Sequence, residues 1–150
     1  MESGLYKVAV KWAEKRKGWA EAASVPGGIA FSAPPEFGGE PGLWSPEHLL
    51  VLSVSSCFLT SLLFFADRGG LALAAYEAEG EGRLEQVPGQ GYRFAEVVLR
   101  PVVLVEKEGD VALAQRLLEK AKRACIVSNS LSAPLRVEAR VEVALPAEKV

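Results

Sequence analysis

The sequence predicts an α+β fold, and three observations carry that prediction. Alternating or β-favouring segments occur at the N-terminus, in the middle and at the C-terminus of the chain. Only two segments have helical length and pattern, and two helices are too few to cover both faces of a large parallel sheet. The strands are therefore expected to pair with near neighbours in antiparallel sheets around one long central helix. A length of 150 residues matches one domain, read as residues 1–150 with a single core.

Residues 5–12 (LYKVAVKW) and 18–24 (GWAEAAS) read as strands around a charged turn at Ala13–Lys17, and 27–33 reads as a third strand after Pro26-Gly27. Residues 34–44 hold three prolines and three glycines in eleven positions, which marks a long loop. Ser45-Pro46 supplies a helix start, with a hydroxyl at the cap and proline at the first helical position. That helix is expected over 46–67, ended by Arg68-Gly69-Gly70. Two longer strands, 71–85 and 91–106, form a hairpin across Val87-Pro88-Gly89-Gln90-Gly91. Asp110 caps a second helix with an apolar stripe of Val111, Ala114, Leu118, Ala121 and Cys125. Leu135 to Leu145 alternates strictly and reads as one final strand.

Composition narrows the function classes. Seventeen Lys and Arg against nineteen Asp and Glu give a net charge of -2, without the basic excess that nucleic-acid binding requires. Two cysteines 68 positions apart and a single histidine, His48, do not make a zinc site, and neither a metal nor another cofactor is expected. The first eighteen residues show no secretory signal, so a reducing cytoplasm is the expected compartment. Leu49 to Ala66 is 18 residues without a charge, the lower edge of a membrane span. Five hydroxyl residues interrupt it and strands flank it, so it reads as a buried helix rather than a membrane segment. A chain this small seldom surrounds such a helix, so part of its surface is expected to meet a second copy.

Taken one at a time, the reactive residue types have bland readings. Cys57 sits inside the most apolar helix, where a thiol packs as a small hydrophobe and burial raises its pKa unless a cation stabilises the thiolate. Glu47 is a carboxylate favoured by the helix dipole. His48 has no matched serine or aspartate in the sequence to make a hydrolase triad. Lys15, Arg16 and Lys17 are a charged turn, and Cys125 packs at the end of the second helix.

Together these features resemble something specific. GGEPGLWSPEHLLVLSVSSCF resembles the active-site stretch of the OsmC/Ohr family of thiol-dependent hydroperoxide reductases, in which Pro-Glu at a helix start precedes the reactive cysteine by ten positions, as Glu47 precedes Cys57. CIVSNSL resembles the family's second-cysteine motif, with Cys125 in the resolving position. The family's arginine, in an N-terminal turn just ahead of a glycine, is matched by Arg16-Lys17-Gly18, with Lys15 and Lys17 as neighbours one register away. Two positions depart: Trp44-Ser45 stands where members commonly have Thr-Asn, and Ile126 where proline usually follows the second cysteine. The resemblance implies an OsmC-like intertwined homodimer that reduces organic hydroperoxides. In it Cys57 is nucleophile, Cys125 resolves, Arg16 and Glu47 activate, and an external dithiol restores the thiols. It implies no cofactor.

Ten residues advance about 15 Å along a straight helix, so Glu47 reaches Cys57 only if the helix is interrupted or the glutamate comes from another subunit. Two other functions stay open on the sequence: a non-enzymatic protein binding a small hydrophobic ligand, and a serine hydrolase using His48.

Overall fold

The computed structural model describes residues 4–145. Its contacts divide into two compact units, Met1–Leu50 and Val51–Val150, and the division falls within the long helix.

In the first unit, β1 (Ala9–Glu14), β2 (Lys17–Ala22) and β3 (Val25–Ser32) form an antiparallel meander in that order. β1 begins at Ala9 rather than Leu5 because its partner runs out: Ala9 pairs with Glu21, and β2 ends at Ala22. The register slips between Trp12 and Glu14, and this bulge shortens the turn to Lys15-Arg16, with Lys15 at φ +50°. Val10 and Trp12 share a face with Ile29, since Val10 pairs with Ala20 and Ala20 with Ile29. That apolar face is open, with Trp12 80% exposed. The Pro/Gly loop contains one 3₁₀ turn, Pro35–Phe37, closed by Gly38 at φ +86°. Ser32 fastens the loop to β3: its N–H donates to Trp44 O (2.9 Å), and its Oγ accepts from the N–H of Glu40 (2.9 Å).

Helix α1 spans Pro46–Gly69 without a break. Ser45 caps it as expected, with its carbonyl accepting from Leu49 N–H at 3.0 Å and its Oγ accepting from His48 N–H at 3.1 Å. The helix outlasts its predicted end by one half-turn because Gly70, not Gly69, takes the left-handed conformation (φ +70°), and Leu71 N–H reaches back to Ala66 O.

In the second unit, α1 buries Val54, Phe58, Leu62 and Ala66, one stripe at four-residue spacing. β4 (Leu73–Val87) and β5 (Gly91–Val105) form the expected antiparallel hairpin. The helix crosses β4 where side chains are missing: a Cβ on Gly82 would lie 2.5 Å from Val51 Cγ2, and one on Gly80 3.2 Å from Val51 Cγ1. β5 supplies Val97, Leu99, Val103 and Val105 to the core. Burying each such aliphatic side chain contributes about 1.5–3 kcal/mol. On its other flank α1 leaves Leu52, Leu63 and Phe64 exposed. It is the one helix among the described residues long and apolar enough to cross a bilayer, with mean hydropathy 2.2 and 22% of that stretch buried within the chain.

Helix α2 (Val111–Ala124) buries Ala114, Leu117, Leu118 and Ala121, so Leu117 joins the predicted stripe. Asp110 does not cap it through its side chain, because a 3₁₀ turn, Glu108–Asp110, leads into the helix with helical backbone. Cys125 is fully buried but lies just past α2 in an extended conformation (φ -63°, ψ 105°), opening the single turn α3 (Ile126–Asn129).

The final strand departs most from expectation. It divides into β6 (Leu135–Val137) and β7 (Arg140–Val143), both parallel to β5. Their registers share one offset, Leu99 against Val137 and Val102 against Arg140, so the interruption stands opposite Arg100 and Pro101. Leu99 O still accepts from Glu138 N–H (2.8 Å), but the next donor in the ladder would be residue 101, and proline has none. Strict alternation could show the strand but not the donor missing from its partner. The architecture is α+β with antiparallel sheets and a long helix, and its second sheet has a parallel edge.

Candidate active site

Two thiols meet in the second unit. Cys57 lies half-buried on α1, and Cys125 lies fully buried at the start of α3. The Cys125 sulfur is 3.9 Å from Val54 O, one turn before Cys57 on the same helix.

Burial pushes the Cys57 thiol up, but four donors outweigh it and hold the group below the ordinary thiol range. They are the backbone N–H of Val127, the thiol of Cys125, the backbone N–H of Ile126 and the hydroxyl of Ser61. Cys125 moves the other way, raised first by burial and further by the neighbouring Cys57 sulfur, although Ser128 donates to it. Of the two thiols, Cys57 is therefore the first to ionise. Nothing in the motif spacing pointed to these groups. A cation is expected to be required, whereas the groups that lower Cys57 here are neutral donors of the chain itself.

Arg16 stands in the β1–β2 turn, where its carbonyl accepts from Ala33 N–H at 3.3 Å. Its side chain lies across Gly38: a Cβ there would be 3.1 Å from the guanidinium Nε. With Glu14, Lys15, Lys17, Gly39 and Glu40 these residues line a cavity of about 440 Å³. Lys17 is engaged, 2.9 Å from Glu40 and 3.3 Å from Glu14, and its pKa is raised by the Glu40 contact first and then by Glu14. Among the described residues Arg16 pairs with no carboxylate.

Glu47 occupies the second position of α1, and its Oε2 is buried with no hydrogen-bond partner among the described residues. The Arg16–Glu47 pair expected from the resemblance is thus not formed within one chain. Because α1 is uninterrupted, Glu47 stays about 15 Å from Cys57 along the helix.

His48 turns out to have a serine beside it after all. Ser45 Oγ lies 2.7 Å from His48 Nδ1, and Ser45 N–H donates to the same nitrogen at 3.2 Å. Since Ser45 Oγ also accepts from His48 N–H, this is a reciprocal helix cap with histidine where glutamate or glutamine usually stands. Ser45 is 1% exposed, so its hydroxyl is a capping group and not an accessible nucleophile. Trp44 packs edge-on against the His48 ring (centroids 6.2 Å apart), and the two line a shallow cavity of about 250 Å³ with Gly42 and Leu43. Among the described residues no cluster of His, Cys, Asp and Glu could hold a metal ion.

A long apolar helix bearing one thiol, packed on an antiparallel hairpin, with a second thiol just past α2, is an α+β arrangement shared with OsmC-like proteins. The sequence profile described as OsmC-like protein matches residues 39–140, and the chain belongs to that family. The match takes in Glu47, Cys57 and Cys125 and leaves Arg16 outside it. The uncharacterized protein YmaD of Bacillus subtilis (strain 168) is 25% identical over 122 residues, 79% of this chain and 81% of its own length. Among solved structures, an OsmC-like protein of unknown function from Vibrio cholerae superposes with a TM-score of 0.82 at 21% identity, over 91% of this chain and 99% of its own. The organic hydroperoxide resistance protein OsmC from Legionella pneumophila superposes with a TM-score of 0.74 at 25% identity, over 94% of this chain and all of its own.

Proposed function

We propose that the protein is a cytoplasmic thiol peroxidase that reduces organic hydroperoxides in oxidative-stress defence. The observation that carries this reading is the opposed pair of thiols, a Cys57 sulfur held below the ordinary thiol range beside a Cys125 thiol held above it. The Cys57 thiolate attacks the distal oxygen of the hydroperoxide. The O–O bond breaks, Cys57 becomes a sulfenic acid, and the departing alkoxide takes a proton to leave as alcohol. Cys125 then condenses with the sulfenic acid, forming a disulfide and releasing water. An external dithiol returns both cysteines to thiols and leaves as its own disulfide. The leucine, valine and phenylalanine side chains around Cys57 favour an organic or lipid-derived peroxide over hydrogen peroxide.

In this reading Arg16 is the cation and Glu47 its orienting carboxylate, brought together between two copies of the chain. The unpartnered Glu47 oxygen, the unpaired Arg16 and the exposed flank of α1 support an obligate homodimer. The second copy covers that apolar flank, and no membrane is involved.

The test is chemical. One equivalent of cumene hydroperoxide should convert the protein to an intramolecular Cys57–Cys125 disulfide seen by mass spectrometry. Cys57→Ser should abolish turnover, and Cys125→Ser should stop at a sulfenic acid open to over-oxidation. Two free thiols after that treatment would instead favour a non-enzymatic protein that uses the same apolar surroundings for a small hydrophobic ligand.

A further inference from the structure

α2 carries a charge pattern that its packing does not use. The helix turns Ala114, Leu117, Leu118 and Ala121 to the core, and beside that stripe Arg116, Lys120 and Arg123 recur at spacings of four and three, on one face. The helix dipole accounts for Arg123 in the last turn but not for Arg116 two turns earlier. Ion pairs among the described residues join the strands and their loops, and none takes in these three cations. Together with the single carboxylate of Glu119, the three line a cavity of about 600 Å³ between α2 and the end of α1. The rest of its lining is Leu113 and Leu117 from α2 and Gly69 from α1, where a Cβ would lie 3.4 Å from Leu117 Cδ1. Lys120 leans onto α1, its Nζ 5.2 Å from the centre of the Phe65 ring. All of these residues belong to the second unit.

We propose that this cavity is a binding site for a long-chain carboxylate, with Arg116, Lys120 and Arg123 holding the anionic head and Leu113 and Leu117 the apolar chain. Its volume falls in the range of about 300–1,000 Å³ that small-molecule sites occupy, and its lining has their character, apolar walls with a few placed polar groups. Three cations against one carboxylate select an anion. A chain whose net charge is -2 has no general excess of positive charge from which such a cluster would arise by composition. Two of the three are arginines, whose planar donors hold a carboxylate at two points where a lysine is only a point charge. A bare inorganic anion would gain nothing from Leu113 and Leu117, whereas an alkyl chain gains by leaving water. Gly69 stands 12 positions beyond Cys57 on an unbroken helix, about 18 Å along its axis, and neither cysteine lines the cavity. The site is thus separate from the thiols and does not depend on the peroxidase reading.

Calorimetric titration of the protein with dodecanoate, below the concentration at which it forms micelles, should give saturable binding at one site per chain. Dodecanol, the same chain without the charge, and dodecyltrimethylammonium, the same chain with the opposite one, should bind at least about tenfold more weakly, because the charge-assisted contacts are lost. Arg116→Gln combined with Arg123→Gln should weaken dodecanoate by about tenfold and leave dodecanol unchanged. Both arginines are exposed, so the fold is kept. Gly69→Phe, whose ring would fill the cavity over Leu117, should abolish binding with every cation in place, and Gly69 has no left-handed φ to forbid a side chain. No saturable binding, equal binding of the ammonium, or binding that survives both variants would overturn the proposal, the last by placing the amphiphile elsewhere on the chain. Recruitment to vesicles of anionic lipid without saturable binding of dodecanoate would overturn it in favour of a membrane surface. Gly69→Phe splitting a dimer in light scattering would overturn it in favour of a second copy. None of these measurements involves peroxide, so they decide the cavity whatever the disulfide experiment shows, and that experiment decides the peroxidase reading whatever dodecanoate does.

Discussion

The Cys125 thiol donates to the Val54 carbonyl at 3.9 Å, one turn before Cys57 on α1, and the two cysteines are driven in opposite directions, Cys57 below the ordinary thiol range and Cys125 above it. Burial acts against ionisation of both, and hydrogen bonding outweighs it only at Cys57, with the Val127 backbone contributing most. Cys57 is therefore the first of the two to ionise, which is the order the proposed roles require.

The first prediction is a selectivity in alkylation. Iodoacetamide in limiting amount should label Cys57 ahead of Cys125, located by peptide mass spectrometry. Its rate should rise with pH and level off below the ordinary thiol range. The signs for stability differ between the two groups. Cys57, lowered in the folded state, contributes stability that is lost as pH falls through its folded pKa. Cys125, raised in the folded state, costs stability as pH rises through the ordinary thiol pKa. Preferential labelling of Cys125 would reverse the assignment.

Tyr76 gives an alkaline marker independent of the thiols. Its hydroxyl is buried on β4 with no hydrogen-bond partner among the described residues, and burial pushes its pKa up to about 12. The unfolded chain ionises this phenol near the usual tyrosine value of about 10, so stability should fall between about pH 10 and 12, by up to about 2–3 kcal/mol. Tyr76→Phe should remove that decline and raise stability at neutral pH by about 1 kcal/mol, because an unsatisfied buried polar atom is gone. Denaturant unfolding across the pH range measures both effects, and an unchanged alkaline slope in Tyr76→Phe would show that another group titrates.

Much of this was legible in the sequence where local chemistry decides structure. Ser45-Pro46 announced the start of α1, Pro88-Gly89 the hairpin, and the uncharged run 49–66 the central helix, because caps, turns and hydropathy act within a few residues. Cys57, Cys125 and Glu47 stood out through motif spacing, and the family match spans all three. What escaped depends on distant partners. Pro101 splits a strand almost forty residues later, and the Cys125 thiol meets the carbonyl of Val54, 71 positions away. His48 looked unpartnered because a histidine at the third helical position is an unusual capping residue. A search for Ser-x-x-His at a helix start would have found it.

The exposed flank of α1 leads to a prediction about assembly. Leu63 is 46% exposed in the chain and Leu52 45%, so replacing either leaves the core of one copy intact. Leu63→Glu should nevertheless convert a dimer into a monomer at micromolar concentration, because a charge would have to be desolvated in an apolar interface. Light scattering on the wild type and the variant decides it. A monomeric wild type whose stability is unchanged on dilution would remove the homodimer from the reading.

The last prediction concerns which cation serves Cys57. Three basic residues share the β1–β2 turn, and their surroundings differ. Lys17 is held by Glu40 and Glu14, while Lys15 sits at φ +50° in the exposed turn. Arg16 alone of the three lies across Gly38, and its guanidinium presents the planar donors that a carboxylate such as Glu47 holds in two-point contact. In the Cys125→Ser background, Arg16→Ala should move the Cys57 titration to higher pH and slow peroxide reduction by about tenfold or more. Lys15→Ala should leave both readings near the parent. Lys17→Ala should do the same, since exposed ion pairs such as its own are weakened by solvent screening and contribute little. A large effect from a lysine and none from Arg16 would transfer the activating role to that lysine. If none of the three substitutions matters, Cys57 is activated without a cation, and the Arg16–Glu47 pair loses its part in the reaction.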